Sequence, residues 1–291
     1  MNTGTWIMAA RLRTLPAAGA PVLVGCALAI SDGGFHPVSA AAALLGALFI
    51  QVGTNFANDY FDFVNGADTD ERVGPTRATQ AGLIPPKTMK MAFILAFSMV
   101  VPIGIYLTVR GGWPMAVVGI LSIAAGILYT GGPRPLGYMG LGDVFVLVFF
   151  GPVAVAGTHY IQTLTLSPIA IIAGLAPGLL STAILVVNNL RDIETDRATG
   201  KHTLAVRLGP TAARIEYTLA VILGALGVPL VLVTMTGEHL LALGSAIVLL
   251  PALPILKSMW RDHGRALDPN LGKTGAVMMI HSILFSVGWL L

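Results

Sequence analysis

Long apolar stretches separated by short polar connections make up most of the chain. Nine of them read as helices that cross a membrane: Leu15–Ile30, Ser39–Ala57, Met89–Thr108, Met115–Tyr129, Asp143–Tyr160, Pro168–Val187, Ile215–Thr234, Leu240–Trp260 and Thr274–Leu291. A hydrocarbon core about 30 Å thick takes roughly 20 such residues per crossing. Glycine and proline occur inside several of the stretches, and membrane helices accept both more readily than soluble ones do. The first stretch follows Arg11 and Arg13 and carries Ala27-Leu28-Ala29, as a cleaved secretory signal would. A many-spanning protein needs no cleaved signal, so the stretch reads as the first helix. The expected fold is all-α, a single nine-helix transmembrane domain over residues 1–291.

Composition strengthens this reading. Of the 291 residues, 55% are hydrophobic and 11% charged. A soluble domain carries about 25% charged residues, so there are too few here to wet a globular surface. The net charge of +3 is what basic loops produce and does not point to nucleic acid. Cys26 stands alone, which excludes an intrachain disulfide, and the six histidines show no ligand spacing that would suggest zinc or haem. The basic residues test the helix count independently. All but Arg110 of the 17 Lys and Arg fall before the first helix or in, or at the helix ends bordering, every second connection. Such residues collect on the cytoplasmic side. The N-terminus is therefore expected in the cytoplasm and the C-terminus outside, with the chain in the cell (inner) membrane.

The acidic residues are concentrated in two of the interior connections. Asp59, Asp62, Asp68, Asp70 and Glu71 crowd one, and Asp192, Glu194 and Asp196 crowd the other. Asn58 precedes Asp62 by four residues, and Asn188 precedes Asp192 by four, 130 residues further along. The matched spacing reads as a pseudo-repeat in which two helix ends face one cavity. Residues four apart share a helix face, so each motif presents its oxygens as a stripe. Carboxylates at a helix C-terminus meet the negative end of the helix dipole and need cations. Hard oxygen ligands in two groups suit Mg²⁺, which takes one or two carboxylates and completes its shell with phosphate and water. Arg77, Arg134, Arg191 and Lys201 lie nearby in sequence and suit a diphosphate.

These motifs resemble those of the UbiA superfamily of intramembrane prenyltransferases. Asn58-Asp59-Tyr60-Phe61-Asp62, with Asp68 beyond, is similar to the first Asp-rich motif. The run from Asn188 through Asp196 is similar to the second. Within the superfamily the chain looks most like the 1,4-dihydroxy-2-naphthoate polyprenyltransferase branch of menaquinone synthesis. That likeness rests on Arg11–Pro16, on 74–77, on 129–143 around Arg134, and on 200–209. In the first motif Gly66 stands where the last Asp is commoner, which leaves open whether Asp68 takes that ligand role.

The resemblance implies a helical bundle around a central cavity. It also implies transfer of a polyprenyl chain from its diphosphate to the naphthoate ring, with diphosphate and CO₂ leaving. It assigns Asn58, Asp62, Asp68, Asn188, Asp192 and Asp196 to Mg²⁺, and Arg77, Arg134, Arg191 and Lys201 to the diphosphate. Asp62, Asp192, Arg134, Lys201 and Tyr129 would be the catalytic set. Tyr60, Phe61 and Tyr129 would offer π faces to an allylic cation, Arg11 or Arg13 would hold the acceptor carboxylate, and Asp143 would orient a hydroxyl. The substrates are then polyprenyl diphosphate and 1,4-dihydroxy-2-naphthoate, met at the lipid bilayer; no protein partner is inferable.

Three alternatives have discriminating features. A 4-hydroxybenzoate acceptor would use the same metal motifs, because those motifs do not read the ring. A CDP-alcohol phosphotransferase needs Asp-Gly-x-x-Ala-Arg upstream and Gly where Asn188 stands, and the sequence has neither. A cation-coupled transporter predicts ionisable residues at mid-membrane, whereas here they gather at one face.

Overall fold

The computed structural model describes residues 3–67 and 73–291, and its regular structure there is entirely helical. The elements are α1 (Thr3–Ala10), α2 (Pro16–Ser31), α3 (Pro37–Val64), α4 (Pro86–Gly111), α5 (Trp113–Leu128) and α6 (Gly142–Thr163). They continue with α7 (Pro168–Arg191), short α8 (Ile193–Ala198) and α9 (Leu204–Leu208), then α10 (Pro210–Thr236), α11 (Leu240–Arg261) and α12 (Gly264–Leu290). Proline opens α2, α3, α4, α7 and α10, where its missing N–H is an orphan in any case and its fixed φ suits the first turn. Capping completes several starts. Ser167 accepts from the Ala170 amide at α7, and Thr203 from the Val206 amide at α9. Gly112, at φ 76°, breaks α4 from α5.

Each of the nine predicted spans falls on a helix, but their lengths differ. Among the described residues, seven helices are long and apolar enough to cross a membrane. Residues Thr3–Thr14 and Pro16–Ser31 qualify together as an eighth, bent by 50°. The expected span Met115–Tyr129 corresponds to α5, which has 16 residues and is about 24 Å long at 1.5 Å per residue. By length the described residues give seven crossings, or eight if the bent pair is one span, with α5 short of a full crossing.

Helix α7 is the axis of the bundle. Two-thirds (67%) of its apolar window is buried, against 22% for α3 and for α4. Around it Leu180, Ile184, Tyr217, Met259, Leu267 and Met278 form one core cluster. Its contact with α6 is backbone to backbone. A Cβ on Gly178 would lie 2.6 Å from the Leu147 carbonyl oxygen, and one on Gly174 would lie 2.6 Å from the Pro152 Cα. Small residues four apart allow this approach in membranes. Opposite Gly174 and Gly178, α6 widens into a π turn at Phe149–Val153 around Pro152. The outer faces of the bundle stay apolar, as Leu95, Val109, Trp113 and Ile120 show, and a contiguous exposed apolar surface of this kind is a lipid-facing one. The protein is a multi-pass membrane protein.

The far end of the bundle from the acidic motifs has its own polar ties. Arg110, at the end of α4, donates to the Ile161 and Gln162 carbonyls where α6 finishes. Asp32, just past α2, lies 2.7 Å from His159 Nε2.

Candidate active site

One face of α3 and one face of α7 carry the site. Gln51, Asn55, Asn58 and Asp62 follow at intervals of four, three and four residues, which places them in a line along α3. Ser181, Leu185, Asn188 and Asp192 repeat the spacing on α7. All eight, with Asp196 on α8, line a single cavity of about 370 Å³. The two acidic helix ends thus meet across one space. Away from them the wall becomes apolar, with Ile50, Val100, Ile103, Leu107, Phe145 and Phe149.

Asp62 is the hub of the first half. It is 2% exposed and receives three hydrogen bonds: Arg77 Nη2 at 2.9 Å on Oδ2, and the Tyr138 hydroxyl at 2.7 Å and Lys201 Nζ at 3.1 Å on Oδ1. Burying a carboxylate is costly unless it is paired and hydrogen-bonded, and here both conditions hold. Lys201 Nζ also sits 4.9 Å from the centre of the Tyr138 ring. Asp59 faces elsewhere. Its oxygens accept from the Ala78 and Thr79 amides at 3.1 and 2.9 Å, which ties the returning chain to α3 and delivers the adjacent Arg77 to Asp62. Asn58 Oδ1 accepts from the Thr130 hydroxyl at 2.8 Å.

The second half is organised by Arg191. Its Nε and Nη2 grip both oxygens of Asp192 at 2.8 and 2.7 Å, while Nη1 reaches Asp268 Oδ1 at 2.7 Å. A planar fork matching a carboxylate is the geometry that arginine supplies and lysine cannot. Gly74 leaves room for this guanidinium, because a Cβ there would lie 2.5 Å from Nη2.

The remaining expected site residues divide cleanly. Arg11 and Tyr129 line the cavity. Arg134 is exposed and is not part of its wall. Tyr60 and Phe61 meet edge-on and pack at a tilt against Phe93, outside the cavity lining. Asp143 is buried in the first turn of α6, beside Glu216 and off the cavity wall. The expectation for Asp68 falls outside the described residues.

A family comparison decides what this architecture is. Residues 18–283 match the UbiA prenyltransferase family. The chain belongs to the UbiA prenyltransferase family. Among its UbiA relatives, the 1,4-dihydroxy-2-naphthoate octaprenyltransferase of Escherichia coli (strain K12) is 41% identical, with 99% of this chain and 95% of that protein aligned. The enzyme of the same name from Mycobacterium tuberculosis is 39% identical over 96% of this chain and 94% of its own. Two solved UbiA homologues share the fold. That of Archaeoglobus fulgidus, bound to DMAPP and Mg²⁺, has a TM-score of 0.67 at 16% identity, covering 97% of this chain and 99% of that one. The apo homologue of Aeropyrum pernix K1 reaches 0.68 at 16% identity, covering 99% and 98%.

The donor set of this UbiA chain suits a divalent cation of the hard class. Asn58, Asp62, Asn188, Asp192 and Asp196 offer only oxygens, from two opposed helices and the turn beyond one of them. Four residues of the site are not apparent from the motifs. Tyr138 and Asp268 come from remote segments, and no local signal announces them. Gln51 and Asn55 did carry a signal, since polar side chains inside an apolar span mark function by default.

Proposed function

We propose that the chain transfers a polyprenyl group from polyprenyl diphosphate to 1,4-dihydroxy-2-naphthoate, releasing diphosphate and CO₂ in menaquinone synthesis. The observation that carries this reading is the convergence of both Asp-rich helix ends with Arg77 and Lys201 on one cavity. The near-full-length likeness to the E. coli enzyme supports the naphthoate acceptor.

Chemically, the difficult step is heterolysis of an allylic C–O bond in a place that water must not reach. Asp62, Asp192 and Asp196, with Asn58 and Asn188, would hold a divalent cation, and the sequence motif assigns Asp68 to the same ion. That ion, when bound, offsets the negative charge that grows on the departing diphosphate. Arg77 and Lys201 are already within reach of Asp62 and exchange its carboxylate for phosphate oxygens. Arg191, gripped by Asp192 and Asp268, positions Asp192. Tyr129 and Phe145 on the cavity wall present π faces to the allylic cation, and the apolar wall keeps water away while accommodating the isoprenoid tail. The polar mouth faces the cytoplasm of a cell (inner) membrane, as the basic residues require.

The test is prenylation by membranes carrying the protein. They are given a labelled polyprenyl diphosphate and either 1,4-dihydroxy-2-naphthoate or 4-hydroxybenzoate, with EDTA and then with Mg²⁺ restored. Naphthoate-specific, EDTA-sensitive turnover is expected. Prenylation of hydroxybenzoate alone would overturn the acceptor assignment.

A further inference from the structure

The two halves of the cavity match at the metal-binding end and diverge further in. The 130-residue offset that pairs Asn58 with Asn188 and Asp62 with Asp192 also pairs Gln51 with Ser181 and Asn55 with Leu185. On α7 the continuation is less polar. Leu185 is apolar, and the Ser181 hydroxyl donates to Met278 Sδ. On α3 the continuation is open.

The orientation of the Gln51 amide follows from its partner. The Thr14 hydroxyl donates its only hydrogen to the Arg11 carbonyl at 2.9 Å. It then accepts from Gln51 Nε2 and from Asn55 Nδ2, each at 3.1 Å. A hydroxyl has one donor and two lone pairs, so Thr14 is fully used. It can only accept from Gln51, which fixes Nε2 towards Thr14 and turns Oε1 away from it. Gln51 is 7% exposed, and its Oε1 is a buried acceptor with no hydrogen-bond partner. Arg11, held at φ 52° in the break before α2, lines the same cavity.

We propose that Gln51 is a specificity-determining residue, its Oε1 accepting a hydrogen bond from a ring hydroxyl of the aromatic acceptor. A buried acceptor whose amide is locked by its neighbours calls for a neutral donor. A ring hydroxyl of an aromatic hydroxy acid supplies it. Of the two naphthoate hydroxyls, the one adjacent to the carboxylate donates its hydrogen bond to that group within the molecule. The other, at ring position 4, is the free donor. This inference rests on the functional reading above and adds how the acceptor is told from its relatives.

The experiment measures inhibition of naphthoate prenylation by 4-hydroxy-2-naphthoate and by 2-naphthoate, which differ only in that hydroxyl. The wild-type protein should bind the hydroxylated compound about tenfold more tightly, the ratio that one well-made neutral hydrogen bond gives. Gln51→Met keeps length and volume but removes the acceptor, and should reduce the ratio to about one without changing KM for the prenyl donor. Gln51→Glu retains an accepting oxygen, and should keep the ratio even where both compounds bind less tightly. Thr14→Val unlocks the amide and should lower the ratio, which gives a second route should Gln51→Met fold poorly. An unchanged ratio in Gln51→Met, or no discrimination by the wild-type protein, overturns the inference while leaving naphthoate turnover intact. Absence of naphthoate turnover in the wild-type protein would instead overturn the functional reading and this inference with it.

Discussion

Replacing Asp62 by Asn tests the charge arrangement of the site most directly. The change keeps the shape of the side chain and removes its charge, leaving Arg77 and Lys201 facing a neutral amide. The three side chains are 2, 8 and 11% exposed for Asp62, Arg77 and Lys201, so solvent screens them little. Removing one partner of a buried ion pair costs about 3–5 kcal/mol. An amide oxygen at the Oδ1 position still accepts two of the three hydrogen bonds, which places the expected loss near the lower end, about 3 kcal/mol. Thermal unfolding of the purified protein in detergent should show a fall of several degrees. Adding Lys201→Met to Asp62→Asn removes one orphaned cation and should recover part of that loss without recovering turnover. Inorganic pyrophosphate should stabilise Asp62→Asn more than the wild-type protein, because it supplies the missing negative charge. Turnover itself should fall by about two orders of magnitude or more, the scale of losing one electrostatic stabiliser. An Asp62→Asn protein that melts and turns over like the wild type would refute the idea that this carboxylate organises the two cations.

Asp59→Ala should free the chain after the first motif from its two amide anchors, raising KM for the prenyl donor but not for the acceptor; limited proteolysis should show faster cleavage within 73–84. Asp268→Asn leaves Arg191 with Asp192 alone and should weaken Mg²⁺ binding, read as a several-fold higher half-saturating Mg²⁺ concentration for turnover. Gly178→Val places side-chain atoms where the Leu147 carbonyl already lies, so monodisperse protein on size exclusion should largely disappear. Gly119→Ala, with nothing within 4 Å of the new Cβ, should run as the wild type does.

The helices and the acidic motifs are legible in the sequence because their causes are local. Apolar runs, opening prolines and the Asn-to-Asp interval are all written in consecutive residues. Length is less legible, since α5 and α2 reach only 16 residues each and the first pair reaches crossing length only when taken together across its bend. The acidic residues do not act as one group. Asp59 is one residue on from Asn58, a turn of about 100° on the helix, and so meets backbone amides rather than the cavity. Asp268 reads as an ordinary loop acid until folding brings it to Arg191 from 77 residues away. Arg134, set among glycines, resembles a re-entrant contact in sequence, yet Tyr138 four residues later is the side chain that reaches Asp62. Aromatic neighbours of the motif were equally ambiguous, since Tyr60 and Phe61 satisfy themselves on Phe93 of α4.

The two salt-bridge groups bear on biogenesis. Asp62 with Arg77 and Lys201, and Arg191 with Asp192 and Asp268, together set three anions against three cations before any ligand arrives. A newly made chain can therefore bury these groups in the bilayer as a neutral assembly, with no need to acquire an ion during insertion. Loading of the mature protein then becomes an exchange among counter-ions already in place, which adds little net charge to a low-dielectric interior.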